Sequence, residues 1–285
     1  MGQKSVKSSV FSLLSRHYLY KLLEYYNTKY IGSPIFSHLL LNDKALTNLK
    51  SGLGLPNQII TKSAWCNSRK SVIKNLELFT LPAIVKPNTL AASLGIDETS
   101  IIRKISDFEK VIDHRFDSFP YLTELLIESY LENATEYTVS ITGNGGKYLF
   151  NISKLVSKTA KHTLHSYESK RIPPEKRNFT YSIEKDRTIL YRLQKHTERL
   201  FEQMHLRDLA RFDYLQAEDG SLYLIDANSL PSLSNNYLFE YIYNEKLRLE
   251  QLLLLITLVA QKRLGSNLND NILSEYPIEI VRALF

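Results

Sequence analysis

The sequence predicts an α+β fold built on antiparallel sheets, and three observations lead there. Segments of helical periodicity are interleaved with short, strongly apolar strand-like runs along the whole chain. Two tight-turn signals, Gly-Asn-Gly-Gly at 143–146 and Ala-Glu-Asp-Gly at 217–220, each join two such runs in the manner of a hairpin. No internal repeat interrupts this mixed order, and no βαβ alternation dominates it.

Taken in order, residues 8–26 carry apolar side chains at helical spacing, with Leu14, Tyr18, Leu22 and Tyr25 on one side. A Gly-Ser-Pro break at 32–34 follows. A second helix is expected over 43–51, stopped by Gly52, Gly54 and Pro56. The run 57–62 reads as a strand, 67–79 as a helix ahead of Pro82, 82–86 as a compact strand ending on Lys86, and 97–112 as a polar helix. Over 124–142 the pattern is strand, turn, strand, and YLFNIS after the 143–146 turn supplies a further strand. Residues 157–186 lack periodicity and are rich in Lys, Ser and Pro, which predicts a long mobile loop; such loops are usually functional or disordered. A helix over about 186–205 precedes strands at 209–216 and 221–227, and helices are expected over 236–246 and 247–263.

Composition narrows the class. The chain has 285 residues, enough for one or two domains at ~150 residues each. Hydrophobic residues are 44% and charged residues 23%, which excludes wholesale disorder and collagen-like repeats. Cys66 is the single cysteine, beside Trp65 in an expected turn, so no intramolecular disulfide forms and a reducing cytoplasm is the natural setting. The longest apolar run, 252–260, is about half of the ~20 residues a bilayer needs, so it reads as a buried helix and no membrane segment is expected. The opening residues lack a signal peptide's apolar stretch, and Val6 stands where a myristoylation motif needs Ser or Thr. The net charge of +6 suits an anionic ligand. Lys and Arg are scattered except for local density over 154–187, and no nucleic-acid reader motif occurs. The histidines show no metal-ligand spacing.

Chemistry concentrates in three blocks. In RFDYLQAEDGSLYLIDANSLPSLS (211–234), Asp226 and Asn228 are two apart and share a strand face, and the hairpin can bring Asp213 opposite them. Three oxygen donors on one face suit Mg²⁺, a hard ion completed by water and phosphate; the alternative is an ordinary charged hairpin in solvent. Lys86 ends an apolar strand and enters the small-residue loop PNTLAASLG. There it can neutralise phosphate while amides near Ala92, Ser93 and Leu94 approach the oxygens, or it can simply be a strand-end lysine in solvent. Glu128, Tyr130 and Leu131 lie where a strand gives way to a loop, which could offer main-chain groups and apolar walls to a purine. Glu136 could accept from ribose hydroxyls, and Leu126 and Ile127 read as core.

These blocks, in this order, resemble the ATP-grasp superfamily, most closely its D-alanine–D-alanine ligase branch. The correspondence runs from about Tyr30 to Ala260. YIGSPIFSHLLLNDKALTNLKSGLGLP resembles the linker from the branch's first domain, LPAIVKPN its phosphate-binding lysine strand, LLIESYLENATEYTVSITG its adenine-side hairpin, and RFDYLQAEDGSLYLIDAN its metal hairpin. The resemblance implies an ATP-grasp fold, two α+β subdomains whose antiparallel sheets sandwich ATP. On this reading residues 1–42 are a helical remnant of the first domain with its linker, 43–122 the first subdomain, and 123–285 the second, with lid loop 157–186 and metal hairpin 209–228.

The resemblance also implies roles. Asp213, Asp226 and Asn228 would hold Mg²⁺ (or Mn²⁺). Lys86, Ser93, Glu128, Tyr130, Leu131, Glu136 and Ile225 would bind ATP. Lys170, in the lid segment SYESKR, would reach the γ-phosphate, and Arg211 with the Ser232 amide would stabilise the reacting oxyanion. Arg171, Tyr237 and Leu238 fall at substrate-binding positions. The implied activity joins a carboxylate to an amine at the expense of ATP through an acyl phosphate, under a lid that keeps water out.

The departures from the branch pattern cluster on amino-acid recognition. Only about thirty residues precede YIGSP, one loop serine is alanine, Arg171 replaces a lid tyrosine, Tyr237 replaces a carboxylate-binding serine, and Asn48 replaces the second lysine of DKxxxK, with Lys50 close by. The expectation is therefore a ligase acting on an amino acid, a peptide or a natural-product precursor other than D-alanine. The alternative is a non-catalytic ATP-binding protein of the same fold. Its expected partners are small carboxylates and amines, with a homodimer or a partner protein supplying the missing domain, and neither nucleic acid nor membrane.

Overall fold

Leu40 and Leu41 tie the N-terminal helices to the rest of the molecule. A computed structural model describes residues 17–90, 93–158, 172, 176–233, 241–242, 245–268 and 270–285. Helix α1 occupies 17–25 of the described chain, followed by α2 (Ile35–Asn42) and α3 (Lys44–Ser51). Helix α2 lies in a stretch that periodicity passes over, because its run of leucines hides the 3.6-residue pattern. Asp43 separates it from α3 and caps α3, accepting from the Leu46 amide at 2.9 Å, and Gly52 ends α3 at φ 63°.

The first sheet has four antiparallel strands, β1 (Asn57–Thr61), β2 (Ala83–Pro87), β3 (Ile101–Ile102) and β4 (Glu124–Ser129), in the order β1-β4-β2-β3. Ala83, Val85, Leu125 and Ile127 face a core completed by Trp65 of α4 (Lys62–Asn67), Leu76 of α5 (Arg69–Leu76), and Phe108, Ile112 and Phe116 of α6 (Phe108–Ser118). The two-residue period of a strand therefore puts Lys86 and Glu128 on the opposite face.

Several expectations change here. The helix expected over 67–79 is α5, which starts after Ser68, whose hydroxyl caps it, and ends at Leu76; α4, just before it, occupies residues for which, Asn67 apart, no helix is expected. Cys66 is thus exposed on α4 rather than in a turn. The helix expected over 97–112 starts only at Phe108, because Asp97 and Ser100 form a capping box around a 3-10 turn and Ile101–Ile102 pair with β2. The strand–turn–strand over 124–142 is no hairpin: β4 pairs within this sheet and β5 in the other, so the first sheet runs to Ser129, past the boundary drawn at 122.

The second sheet has the order β7-β6-β5-β8-β9, comprising β5 (Thr135–Asn144), β6 (Lys147–Ser157), β7 (Phe179–Ile183), β8 (Asp208–Gln216) and β9 (Leu222–Asn228), all antiparallel. Both expected hairpins, β5–β6 and β8–β9, form. Gly143, at φ 139°, leaves no room for a side chain: a Cβ there would lie 2.0 Å from the Lys147 carbonyl oxygen. Val139, Ile141, Ile152, Phe212 and Tyr214 pack against Leu193, Leu200 and Phe201 of α7 (Arg187–Gln203), with Leu40 and Leu41 closing the same core. Strand β7 occupies part of the span read as a loop.

Helix α8 (Leu249–Arg263) buries Leu252, Leu255, Ile256, Leu258, Val259 and Ala260, as the apolar run predicted. It packs with the short helices α9 (Asp270–Leu273) and α10 (Ile278–Leu284). Among the described residues no helix is long and apolar enough to cross a membrane. In place of part of the helix expected over 236–246, Tyr241–Ile242 (β10) and Glu245–Lys246 (β11) pair as two short strands.

Candidate functional site

The site grows from a defect in β9. Leu222 and Leu224 alternate toward the core beneath the second sheet, and unbroken alternation would send Asp226 and Asn228 the same way. Instead Tyr214 pairs with Leu224 while Asp213 pairs with Asp226, so Ile225 is an extra residue without a partner on β8. This β-bulge turns Asp226 and Asn228 to the other face, beside Asp213 and Arg211. Bulges commonly re-aim side chains in this way.

On that face the charges form a compact set. Arg211 donates from Nη2 to Asp213 Oδ2 at 2.9 Å and lies 3.9 Å from Asp226 Oδ2. Thr138 of β5 donates to Asp213 Oδ1 at 2.9 Å. Burial opposes the guanidinium charge, but the carboxylates of Asp213 and Asp226 outweigh it and hold Arg211 above the ordinary arginine value. Asn228 Oδ1 accepts from the Leu230 amide at 2.9 Å, fixing the turn that leaves the strand. Two carboxylates and one amide oxygen are hard donors that suit Mg²⁺, provided water and phosphate complete the shell. Among the described residues no group of three or more His, Cys, Asp and Glu could hold a metal by itself.

The first sheet supplies the second half. Lys86 Nζ lies 2.5 Å from Glu128 Oε2, and Asn48 Nδ2 donates to Glu128 Oε1 at 2.5 Å, all three residues being buried. Glu128 is thus the ion-pair partner of Lys86 on a strand buried from Leu125 to Glu128, rather than a member of an alternating exposed one. The Lys86 reading as a strand-end lysine in solvent is set aside by its 6% exposure.

Two further residues, which spacing did not single out, belong here. Lys44 donates to the carbonyl oxygens of Leu90 at 2.5 Å and Asn88 at 3.3 Å, at the start of the small-residue loop. Burial, partly offset by the Asp226 carboxylate and reinforced by Lys86, holds Lys44 below the ordinary lysine value. Asn88, fully buried, accepts from the Ala45 amide at 3.0 Å and donates to Asp43 and Glu124 at 3.1 Å each. The Asp-Lys pair opening DKxxxK was the available signal for Lys44.

The two halves meet through the chain between α3 and β1. Gly54 bridges Leu224, and the Leu224 amide donates to the Leu53 carbonyl at 2.8 Å. Tyr130 and Leu131 lie half-buried where the chain crosses from one sheet to the other, but the Tyr130 amide already donates to the Pro82 carbonyl at 2.8 Å. Glu136 pairs with Leu215 on β8, and Ile225 is the bulge residue. Ser93 sits at φ 58° in the loop after β2, and Ser232 is exposed after the Asn228 turn. Ala92, Lys170, Arg171, Tyr237 and Leu238 lie outside the described residues.

Residues 49–256 match the family model described as D-ala D-ala ligase C-terminus. A D-alanine--D-alanine ligase from a Nitratiruptor species is 28% identical over 225 residues, which cover 78% of this chain and 60% of that protein. A second, from Lactiplantibacillus plantarum, is 26% identical over 233 residues, covering 78% and 58%. The VanG D-Ala:D-Ser ligase from Enterococcus faecalis superposes with a TM-score of 0.58 at 17% identity, over 75% of this chain and 59% of that one. The D-alanine-D-alanine ligase from Coxiella burnetii gives 0.57 at 18% identity, over 76% and 55%. The chain thus spans about 60% of the length of the curated relatives it matches.

Proposed function

The chain belongs to the D-ala D-ala ligase C-terminal family and has the ATP-grasp fold, and from that premise we propose that it is an ATP- and Mg²⁺-dependent carboxylate–amine ligase. The observation that carries the reading is the pairing of Asp213 with Asp226 beside Arg211, with Lys44 close enough to feel the Asp226 charge. Acidic groups for a phosphate-bound cation thereby adjoin lysines for the phosphates.

In this reading Asp213, Asp226 and Asn228 hold Mg²⁺, whose charge offsets that of the phosphates. Lys86 and Lys44 exchange their internal partners for phosphate oxygens, and Ser93 borders the same phosphates. Tyr130, Leu131 and Ile225 flank the base, Glu128 lies at its edge, and Glu136 accepts from the ribose. Lys170 binds the γ-phosphate. A substrate carboxylate attacks that phosphate in line, forming an acyl phosphate and ADP; positioning and charge neutralisation supply most of the catalysis. The amine then attacks the acyl carbon and phosphate leaves. Arg211 and the Ser232 amide stabilise the intervening oxyanion, each such donor being worth about 10²–10³-fold in rate.

Arg171 and Tyr237 stand where the family pattern carries a tyrosine and a serine that recognise amino acids, and this supports a substrate other than free D-alanine. Leu238 adjoins the same recognition positions. A phosphate-release screen over pairs of amino acids and small peptides, D-alanine included, tests both claims. Mg²⁺-dependent release with a particular pair is expected, and the Asp226→Ala variant should fall to background. Equal release by that variant would defeat the metal assignment. Release with D-alanine as fast as with any other carboxylate would defeat the substrate claim, and ATP binding without release for any pair would mark a non-catalytic protein.

A further inference from the structure

One buried polar pair links the N-terminal helices to the metal-side turn, and its histidine lies outside the span matched by the family model. His38 of α2 and Ser229 are each 5% exposed, and His38 Nδ1 lies 2.6 Å from Ser229 Oγ. Ser229 follows Asn228 directly. The turn is therefore held twice, from within by Asn228 accepting from the Leu230 amide and from outside by His38.

The helix that carries His38 is itself well anchored. Ser37 Oγ is within hydrogen-bonding distance of the Met204 and His205 carbonyl oxygens, at 2.7 and 3.1 Å, and Leu40 and Leu41 enter the core of the second sheet. Tyr20 covers the imidazole, ring centroids 4.2 Å apart. Such burial leaves Ser229 no approach for a substrate, so a Ser–His nucleophile is ruled out. It also pushes the imidazole down to about 4, so at neutral pH the ring brings no charge to the Mg²⁺ side of the site.

We propose that His38 is a positioning residue: through Ser229 it holds the turn after β9, and so the aim of the Asn228 side-chain oxygen toward a divalent cation carried by a nucleoside triphosphate. The proposal rests on the ATP- and Mg²⁺-binding reading above. Outer partners of metal ligands typically govern 10–100-fold in affinity, and His38 acts one residue removed from the ligand, so the low end applies.

The test uses the full chain with His38→Ala, Ser229→Ala, Ser229→Thr and the double alanine variant. ATP binding is followed by calorimetry as Mg²⁺ is titrated, alongside thermal melting of each variant. Each single alanine should raise the Mg²⁺ concentration needed for half-maximal ATP binding by about tenfold. The double variant should do no worse than either single, because one hydrogen bond is lost in all three, while Ser229→Thr keeps the wild-type value. Lowered melting with an unchanged Mg²⁺ requirement would reduce His38 to a packing role and overturn the proposal, as would additive penalties. Should His38→Ala not fold, Ser229→Ala, which removes a single oxygen, decides by the same readout. Absence of Mg²⁺-dependent ATP binding in the wild type would instead sink the functional reading itself.

Discussion

Arg211, Glu128 and His38 each do something their residue type alone does not reveal. Arg211 stands between two carboxylates, 2.9 Å from Asp213 Oδ2 and 3.9 Å from Asp226 Oδ2, and its charge offsets the repulsion between them. Glu128, on a strand with no exposed face, spends both oxygens on Lys86 and Asn48. His38 looked like one scattered histidine among seven, and burial makes it a neutral hydrogen-bonding group. Because its folded value, about 4, lies below the ordinary 6.5, the unfolded chain binds the extra proton first. Its contribution is complete above pH 6.5 and is lost as pH falls toward 4, a loss on the order of 3 kcal/mol. Urea unfolding at pH 7 and pH 4.5 should show His38→Gln losing less stability over that interval than the wild type. An identical acid loss in both would contradict a neutral, buried imidazole.

At the level of elements, the bulge in β9 matters most. Leu222 and Leu224 obey the core and Asp226 and Asn228 obey the site, and a regular strand cannot satisfy both. Deleting Ile225 should remove the bulge and place Asp226 directly after Leu224, so that Asp226 and Asn228 keep the site face in a regular strand. We expect a deletion variant that keeps its sheet content by circular dichroism and still binds ATP in a Mg²⁺-dependent manner, more weakly because Ile225 no longer flanks the base; loss of the Mg²⁺ dependence would show that the bulged geometry itself is needed to aim Asp226 and Asn228. The same element explains what could be read from residues and what could not. The two acids and Asn228 were legible as a same-face set from spacing, but the opposite demand of the leucines two positions earlier went unnoticed. Likewise β4 and β5 read as one hairpin because a short turn-like linker joins two strands, and local pattern carries no information on which sheet a strand enters. Helix α2 went unseen because its apolar run has little periodicity, and its exit is set by the Asp43 cap that α3 uses.

For the whole molecule, the site exists only because two sheets are held together. Lys86 and Glu128 come from one, Arg211, Asp213 and Asp226 from the other, and Lys44 with the Gly54–Leu224 bridge spans the join. A ligand contacting both halves should stabilise the fold by mass action, about 2.7 kcal/mol at a hundredfold excess over its dissociation constant. Thermal or urea unfolding should accordingly shift upward with ATP and Mg²⁺ together, less with either alone, and not at all for Asp226→Ala. An equal shift in that variant would place the nucleotide elsewhere. From the sequence alone followed the α+β class, both hairpins, the buried C-terminal helix and the identities of the paired acids and the strand lysine, since each depends on local periodicity, turn chemistry or residue type. Only the tertiary structure decided that β4 joins the first sheet, that Ile225 bulges to re-aim Asp226 and Asn228, and that Lys86 is bound to Glu128 while His38 holds Ser229. The last two pairings join residues 42 and 191 positions apart, and all of these outcomes are set by burial and pairing with other strands or helices rather than by immediate neighbours along the chain.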